Sequence, residues 1–232
     1  SLYQQLYEIL RDFILTGEYA PGERLPSERT LKDSYGISRY TVRQAFAMLE
    51  EEGLAHKHPG LGVFVAPLKF DHRLKLLGFT EEMEGDGLVY VNRVLRAETV
   101  QIEEDVATQL NIEAGSRVHL LQRVRMIRQL PVGVETAYLP TSYFPDLLTH
   151  DFSEASLYHT LEQVEGICLT RAEQEISARR ATPEECAHLR LADLAAILTL
   201  ERRTYDNRAR IVEYVQGVYN PQRYTIVTTI RR

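Results

Sequence analysis

The spacing of apolar residues along this chain changes once, near residues 66–76, and that change sets the number of folding units. Upstream, Leu2, Leu6, Ile9, Leu10, Phe13 and Ile14 recur at the three- and four-residue intervals of one helix face. Gly17 and Pro21-Gly22 end that helix. Ser27 and Glu28 open a second, a hydroxyl at the cap and an acid near the positive helix end, with Leu31 and Tyr35 facing inward and Gly36 closing it. Ser38 caps a third, whose stripe is Val42, Ala45, Phe46 and Leu49 and whose end is Gly53. Short strands at 54–58 and 62–65 flank the turn Pro59-Gly60-Leu61. Three helices, two of them joined by a tight Gly-containing turn, then a hairpin, outline a winged helix-turn-helix.

Downstream the period is mostly two. Strands are predicted at 89–100, 116–128, 132–140, 167–180, 196–206, 210–219 and 223–231, with hairpin turns at Gln129-Leu130-Pro131 and Asp206-Asn207. Helical patterns interrupt at 103–110, 156–165 and 183–190, the last opened by Thr182-Pro183-Glu184-Glu185. Long hairpins with a few helices make an antiparallel α+β domain. The expected organisation is therefore 1–66 as a head domain, 67–76 as a linker and natural hinge, and 77–232 as a second domain.

The bulk charge argues the other way on partners. The 232-residue chain carries a formal −6, and residues 1–66 alone hold seven Lys+Arg against nine Asp+Glu. Placement matters more than the sum: Arg29, Lys32, Arg39, Arg43 and Lys57 fall on the helix-turn-helix and wing, while Glu50, Glu51 and Glu52 gather at the far end of the third helix. Cys168 and Cys186 form no CxxC pattern, so a reducing cytoplasm is the expected location; both read as buried packing residues. No apolar run reaches the ~18 residues of a membrane span, and Ser1-Leu2-Tyr3-Gln4-Gln5 is no signal peptide.

The segments Pro21-Gly22-Glu23-Arg24-Leu25-Pro26-Ser27-Glu28-Arg29, Ser38-Arg39-Tyr40-Thr41-Val42-Arg43-Gln44-Ala45, Leu49-Glu50-Glu51-Glu52-Gly53-Leu54 and Gly60-Leu61-Gly62-Val63-Phe64-Val65 resemble, in order and spacing, the GntR family of bacterial transcription regulators. Arg39 and Arg43, at i and i+4, project from one side of the start of the third helix, the part of a recognition helix that meets base edges. Each can take a guanine bidentately, worth ~1–3 kcal/mol of discrimination. Ser38 and Thr41 suit phosphate oxygens. Arg29 matches a family arginine that reaches DNA, His58 adds charge on the wing, and Gly60 and Gly62 let its backbone approach the minor groove. Tyr40 is bulky for its DNA-facing position, and Val63 stands where many members carry Ser or Thr. Without the ordered motif, Arg39 and Arg43 would read as solvated surface charges.

Gly78-Phe79-Thr80-Glu81-Glu82-Met83, Arg123-Val124-Arg125, Pro131 to Pro140, Ser156-Leu157-Tyr158 and Thr204-Tyr205 resemble the UTRA ligand-sensing domain of the HutC-type subfamily, a chorismate-lyase-like fold with an antiparallel sheet. Arg123 and Arg125 share a strand face, and a hairpin centred on 129–131 brings Arg125 near Glu135. Guanidinium forks suit phosphate or carboxylate, and a carboxylate can hold sugar hydroxyls. Glu213 and Tyr219 share a face of a later strand. The resemblance implies an effector site that includes Phe79, with Thr80, Arg123, Arg125 and Ser156 toward the anion, Ser156 capping a helix, and Glu135, Glu213 and Tyr219 toward a sugar. As a bare pattern, Arg125–Glu135 is equally a cross-strand ion pair, as is Arg203–Glu213.

The combined expectation is a homodimeric repressor released from a palindromic operator by a sugar phosphate or related small anion, with no cofactor, metal or membrane. The alternative is an enzyme of chorismate-lyase-like fold acting on a carboxylate. A fused aminotransferase-like domain, found in another branch of the family, is excluded because no lysine follows Lys75 to form a Schiff base. The seven histidines show no HExxH spacing, and no GxSxG or P-loop occurs.

Overall fold

The computed structural model describes residues 1–66, 70–73 and 75–230, with the side chains of all but 71, 73 and 164. The chain divides into two units, Ser1–Lys69 and Phe70–Arg232.

In the first unit α1 (Leu2–Thr16) buries Leu6, Leu10 and Ile14 and ends at Gly17 in the left-handed conformation. α2 (Glu28–Tyr35) starts where Ser27 Oγ accepts the Thr30 N–H at 3.1 Å, and ends at Gly36. α3 (Arg39–Glu51) starts the same way, Ser38 Oγ accepting from Thr41 N at 3.0 Å, and buries Val42, Ala45, Phe46 and Leu49. Both caps are the predicted ones, because a cap is a local bond between residues three apart. The wing pairs β1 (Ala55–His58) with β2 (Gly62–Val65), from Ala55 opposite Val65 to His58 opposite Gly62. Tyr35 departs from expectation: in the last turn of a two-turn helix it stays 43% exposed, and only Leu31 of α2 is buried.

The second unit is built on a six-stranded antiparallel sheet. Its strands are β4 (Tyr90–Gln101), β5 (Arg117–Ile127), β6 (Leu130–Pro140), β7 (Leu169–Arg180), β8 (Ala196–Asp206) and β9 (Ile211–Tyr219), in the order β4-β5-β6-β9-β8-β7. On one face Leu121, Ala137, Leu139 and Val215 pack under Phe144, Phe152, Leu157 and Leu161. The other face is covered at two places, by α5 (Glu104–Leu110) and by α7 (Pro183–Leu189), whose Thr182 cap, Pro183 and first-turn acids match the sequence signal. Among the described residues no helix is long and apolar enough to cross a membrane.

Several expectations are corrected. The segment read as linker contains β3 (Phe70–Arg73), which pairs in parallel with β10 (Tyr224–Val227) as a separate two-stranded sheet; residues 67–69 and 74 lie outside the described set. β10 is shorter than the predicted 223–231, and position 231 is likewise outside the described residues. The helix expected at 156–165 is one α turn, α6 (Leu157–His159), running into a π turn at Thr160–Val164. The β5–β6 turn centres on Arg128 and Gln129, both at positive φ, so β6 begins two residues earlier than expected. The β8–β9 loop spans 207–210, held by Asp206, whose Oδ1 accepts the N–H groups of Arg208 and Arg210, both at 2.9 Å. Cys186 is buried in α7, but Cys168 is exposed just ahead of β7.

Candidate functional site

Two surfaces carry the predicted site residues, one in each unit. In the first, Arg29, Ser38, Arg39, Tyr40, Arg43, His58 and Gly60 are exposed, and Thr41 and Gly62 are half-buried. Tyr40 is 70% exposed and its hydroxyl accepts from Gln44 Nε2 at 3.0 Å, which fixes the ring along the helix. Arg43 is not loose: its Nε lies 3.0 Å from both carboxylate oxygens of Glu28, on α2. Ser38 is engaged as the α3 cap, and its Oγ also meets Thr41 Oγ1 at 2.9 Å. On the wing, His56, His58 and Phe64 form a ring cluster, with His56 and His58 centroids 4.7 Å apart.

The two wing glycines differ. Gly60, at φ +77°, has open space around a would-be Cβ. At Gly62, φ +119°, a Cβ would lie 2.8 Å from Arg24 Nε, so this glycine seats Arg24 against the wing. Arg24, which bridges to Phe64, is an exposed cation at this surface that sequence reasoning did not count. Its signal is only spatial, since Phe64 is forty residues away.

In the second unit all eight predicted residues, Phe79, Thr80, Arg123, Arg125, Glu135, Ser156, Glu213 and Tyr219, line one pocket. Phe79 and Thr80 come from α4 (Phe79–Gly85), Arg123 and Arg125 from β5, Glu135 from β6, and Glu213 and Tyr219 from β9. The direct cross-strand partner of Glu135 is Arg123, and that of Arg125 is Gly133. Arg125 nevertheless reaches diagonally to Glu135, with Nε at 2.7 Å and Nη2 at 2.6 Å from Oε2, and donates from Nη1 to Asn92 Oδ1 at 2.8 Å. Its guanidinium stacks over the Phe79 ring at 5.0 Å. Asn92 in turn donates to Thr80 Oγ1 at 3.3 Å. The other oxygen of Glu135 accepts from the Tyr219 hydroxyl. The Tyr219 ring fits only because Gly133 and Gly217 lack side chains: a Cβ on Gly133 would overlap it, and one on Gly217 would lie 2.7 Å away.

Glu213 accepts from Tyr158 OH at 2.9 Å and Thr204 Oγ1 at 2.8 Å. The pairing expected between Arg203 and Glu213 does not form. A register shift between Thr204 and Tyr205 sets Glu213 opposite Thr204, and Arg203 meets Glu173 at 3.4 Å instead. The neighbouring Arg202, not predicted, lines the pocket, as do Tyr158, His72, Glu82 and Tyr224. Ser156 lines the pocket and accepts from His159 N at 3.3 Å, but it caps a three-residue turn, too short for a helix dipole to hold an anion.

The electrostatics are uneven. Burial works against the charge of Glu135, yet Arg125, the Tyr219 hydrogen bond and Arg123 outweigh it and hold the pKa down to about 2. Burial raises the pKa of Glu213, partly offset by its bonds from Thr204 and Tyr158 and by Arg202. Burial also opposes the charge on Arg202, but Tyr158, Tyr219 and Glu213 push its pKa up. Arg123 fares worst. It is 2% exposed, and its Nε and Nη1 have no hydrogen-bond partner among the described residues. Burial, with Arg125 beside it, lowers its pKa to about 9. Three guanidiniums thus share the pocket with three carboxylates, Glu82, Glu135 and Glu213, and two of the Arg123 nitrogens are left without a hydrogen-bond acceptor among the described residues. The space between these side chains is about 30 Å³, room for a water or two.

Comparison with known proteins gives the context. Residues 2–65 match the family description "Bacterial regulatory proteins, gntR family", and residues 85–225 match "UTRA domain". The chain is 34% identical to the HTH-type transcriptional repressor NagR of Bacillus subtilis, over 97% of this chain and 93% of the relative. It is 32% identical to the mannosyl-D-glycerate transport/metabolism system repressor MngR of Escherichia coli, over 100% and 96%. Among solved structures it is similar to PhnF from Mycobacterium smegmatis, with TM-score 0.68 and 27% identity over 100% of this chain and 99% of that one.

Proposed function

Because the chain belongs to the GntR family of bacterial regulatory proteins, in its UTRA-bearing HutC branch, and is a DNA-binding transcriptional repressor rather than an enzyme, we propose that a small anionic sugar derivative releases it from its operator. The observation that carries this reading is Arg123: a buried cation with Nε and Nη1 unpartnered among the described residues, in a pocket that also holds Arg125 and Arg202. A phosphate or carboxylate oxygen satisfies those donors with charge-assisted bonds. Arg125, Thr80 and the Ser156 hydroxyl complete the anion side, with the Phe79 ring stacked on Arg125. Glu135, Glu213 and the Tyr219 ring offer acceptors and an apolar face to a sugar. MngR is named for mannosyl-D-glycerate, a name that joins a sugar to a carboxylate, and this pocket calls for the same pairing.

The acting form is a cytoplasmic homodimer on a palindromic operator. Its two recognition helices enter major grooves about one helical turn, ~34 Å, apart. Arg39 and Arg43 read base edges; Arg29, Ser38, Thr41 and the wing residues His58, Gly60 and Gly62 engage the backbone and minor groove, with Tyr40 alongside. The effector acts by binding the DNA-incompetent state more tightly, and operator DNA must weaken effector binding by the same factor.

The test is a thermal-shift screen of phosphorylated sugars, amino sugars and carboxylates, followed by calorimetry and operator gel shifts. A hit should raise Tm, weaken operator binding, and lose its affinity with Arg123→Ala and Arg125→Ala. Unchanged affinity in both variants would refute the anion site. A monomeric protein with operator binding indifferent to every compound would refute the whole reading.

A further inference from the structure

Resting on the effector reading above, we propose that His72 is a specificity contact, its Nε2 accepting a hydrogen bond from a hydroxyl or N–H group of the effector. His72 sits on β3, far in sequence from the strands that carry the arginines, and lines the same pocket. Three observations define its state. The ring is 4% exposed. Its Nδ1 is 2.6 Å from Glu82 Oε2, on α4. Its Nε2 is buried with no hydrogen-bond partner among the described residues.

A carboxylate accepts, so Nδ1 carries a hydrogen toward Glu82, and in the Nδ1–H tautomer Nε2 presents a lone pair. The ring is also held in place. It stacks on Tyr224 at 5.4 Å and 20°, and Tyr224 stacks on Tyr219 at 4.2 Å, whose hydroxyl donates to Glu135. A ring fixed on one side by a carboxylate and on its face by a phenol cannot turn Nε2 toward another protein group without breaking both contacts. A buried acceptor left bare costs free energy until something donates to it. The free groups of Arg123 are donors and demand an anion. In the Nδ1–H tautomer the free nitrogen of His72 is an acceptor and is matched by a proton-bearing group on the same ligand. Inorganic phosphate meets the first demand without needing the second, so the two contacts are separable by choice of probe.

The experiment uses the full chain with His72→Phe, which keeps the ring and its stacking, and His72→Gln, which keeps a polar atom near Nε2. Probes are a panel of hexose 6-phosphates and glycosides of hydroxycarboxylates, with inorganic phosphate as the control anion, all read by calorimetry. For the sugar derivative that binds the parent most tightly, His72→Phe should weaken affinity at least tenfold and His72→Gln less than about threefold. Phosphate affinity should stay within twofold in both. In long-range proton–nitrogen spectra of the parent, that sugar derivative should shift the His72 Nε2 resonance and phosphate should not. Parent-like sugar affinity in His72→Phe, or an Nε2 resonance unmoved by the sugar derivative, overturns the contact while leaving the effector site standing. Failure of every sugar derivative to bind the parent overturns the effector reading and this inference with it. Should His72→Phe not fold, His72→Gln and the resonance decide.

Discussion

Replacing Arg123 with methionine should make the protein more stable and deaf to its effector. The guanidinium is fully buried, two of its N–H groups are unpartnered, and its pKa falls from 12.5 to about 9. At about 1.4 kcal/mol per tenfold change, that drop is on the order of 5 kcal/mol against the charged form. The sign follows from its being a base with a depressed folded pKa. The penalty is complete below about pH 9 and fades only as pH rises from there toward 12.5, so it is fully present at pH 7. Some of it is offset because Glu135 and Glu213 lose a nearby cation, and removing the unsatisfied buried donors recovers roughly 1–3 kcal/mol. In a unit of this size each kcal/mol moves Tm by about 2–4 °C. Arg123→Met should therefore raise the ligand-free Tm by several degrees at pH 7, measured by calorimetry, while abolishing binding of the anionic effector. A Tm lowered by more than about 2 °C would show that Arg123 is a structural ion-pair partner of Glu135 and Glu213, and would remove the argument that its donors are kept free for a ligand.

Gly133→Ala drives a Cβ into the Tyr219 ring and should cost about 1–3 kcal/mol of stability in urea titrations, with loss of effector response. Glu135, with a pKa held down to about 2, contributes stability that is complete above about pH 4.5 and lost as pH falls toward 2. Glu135→Gln should flatten that acid limb and also lower stability at pH 7, because Arg125 loses its partner; an unchanged acid limb would contradict the assignment. Arg39→Ala should weaken operator binding by about 1–3 kcal/mol in gel shifts and relax base preference at its position. Glu28→Gln removes the carboxylate that holds Arg43 and should tighten binding to non-operator DNA, steepening its salt dependence and narrowing discrimination.

What was legible in the sequence was what is encoded locally. Ser27, Ser38 and Thr182 cap helices through bonds to residues three positions on, so their signature is contained in four letters. The alternation that puts Arg123 and Arg125 on one face is likewise local, and resemblance to a known domain supplied the remaining pocket residues. The misses at the site were questions of pairing across distance. That Phe70–Arg73 is a strand depends on Tyr224–Val227, about 150 residues later, so the segment read as linker. Whether Arg202 or Arg203 faces the pocket turns on one register shift between Thr204 and Tyr205, which no periodicity announces and which inverts every side chain beyond it. His72 and Arg202 carried no motif, and Tyr158, inside the Ser156-Leu157-Tyr158 match, carried no site role; only the closing of the sheet face brings them to Glu213 and Tyr219.

The same features bear on how the site can act as a switch. Moving a two-state equilibrium from one part in a hundred to ninety-nine needs about 5.5 kcal/mol of differential binding. Hydrogen bonds to charged groups contribute about 1.5–3 kcal/mol each, so the two unpartnered Arg123 donors offer roughly 3–6 kcal/mol to an anion. That sum meets the requirement only if the effector reaches them fully in one state and poorly in the other. The pocket meets that condition where its free space, about 30 Å³ here, widens for a sugar derivative only in the DNA-incompetent state. A pocket already open in the operator-bound state would bind the effector equally in both and shift nothing, however tight the binding. On the effector reading, then, the unpaired cation provides the affinity, and the opening of the pocket decides which state receives it.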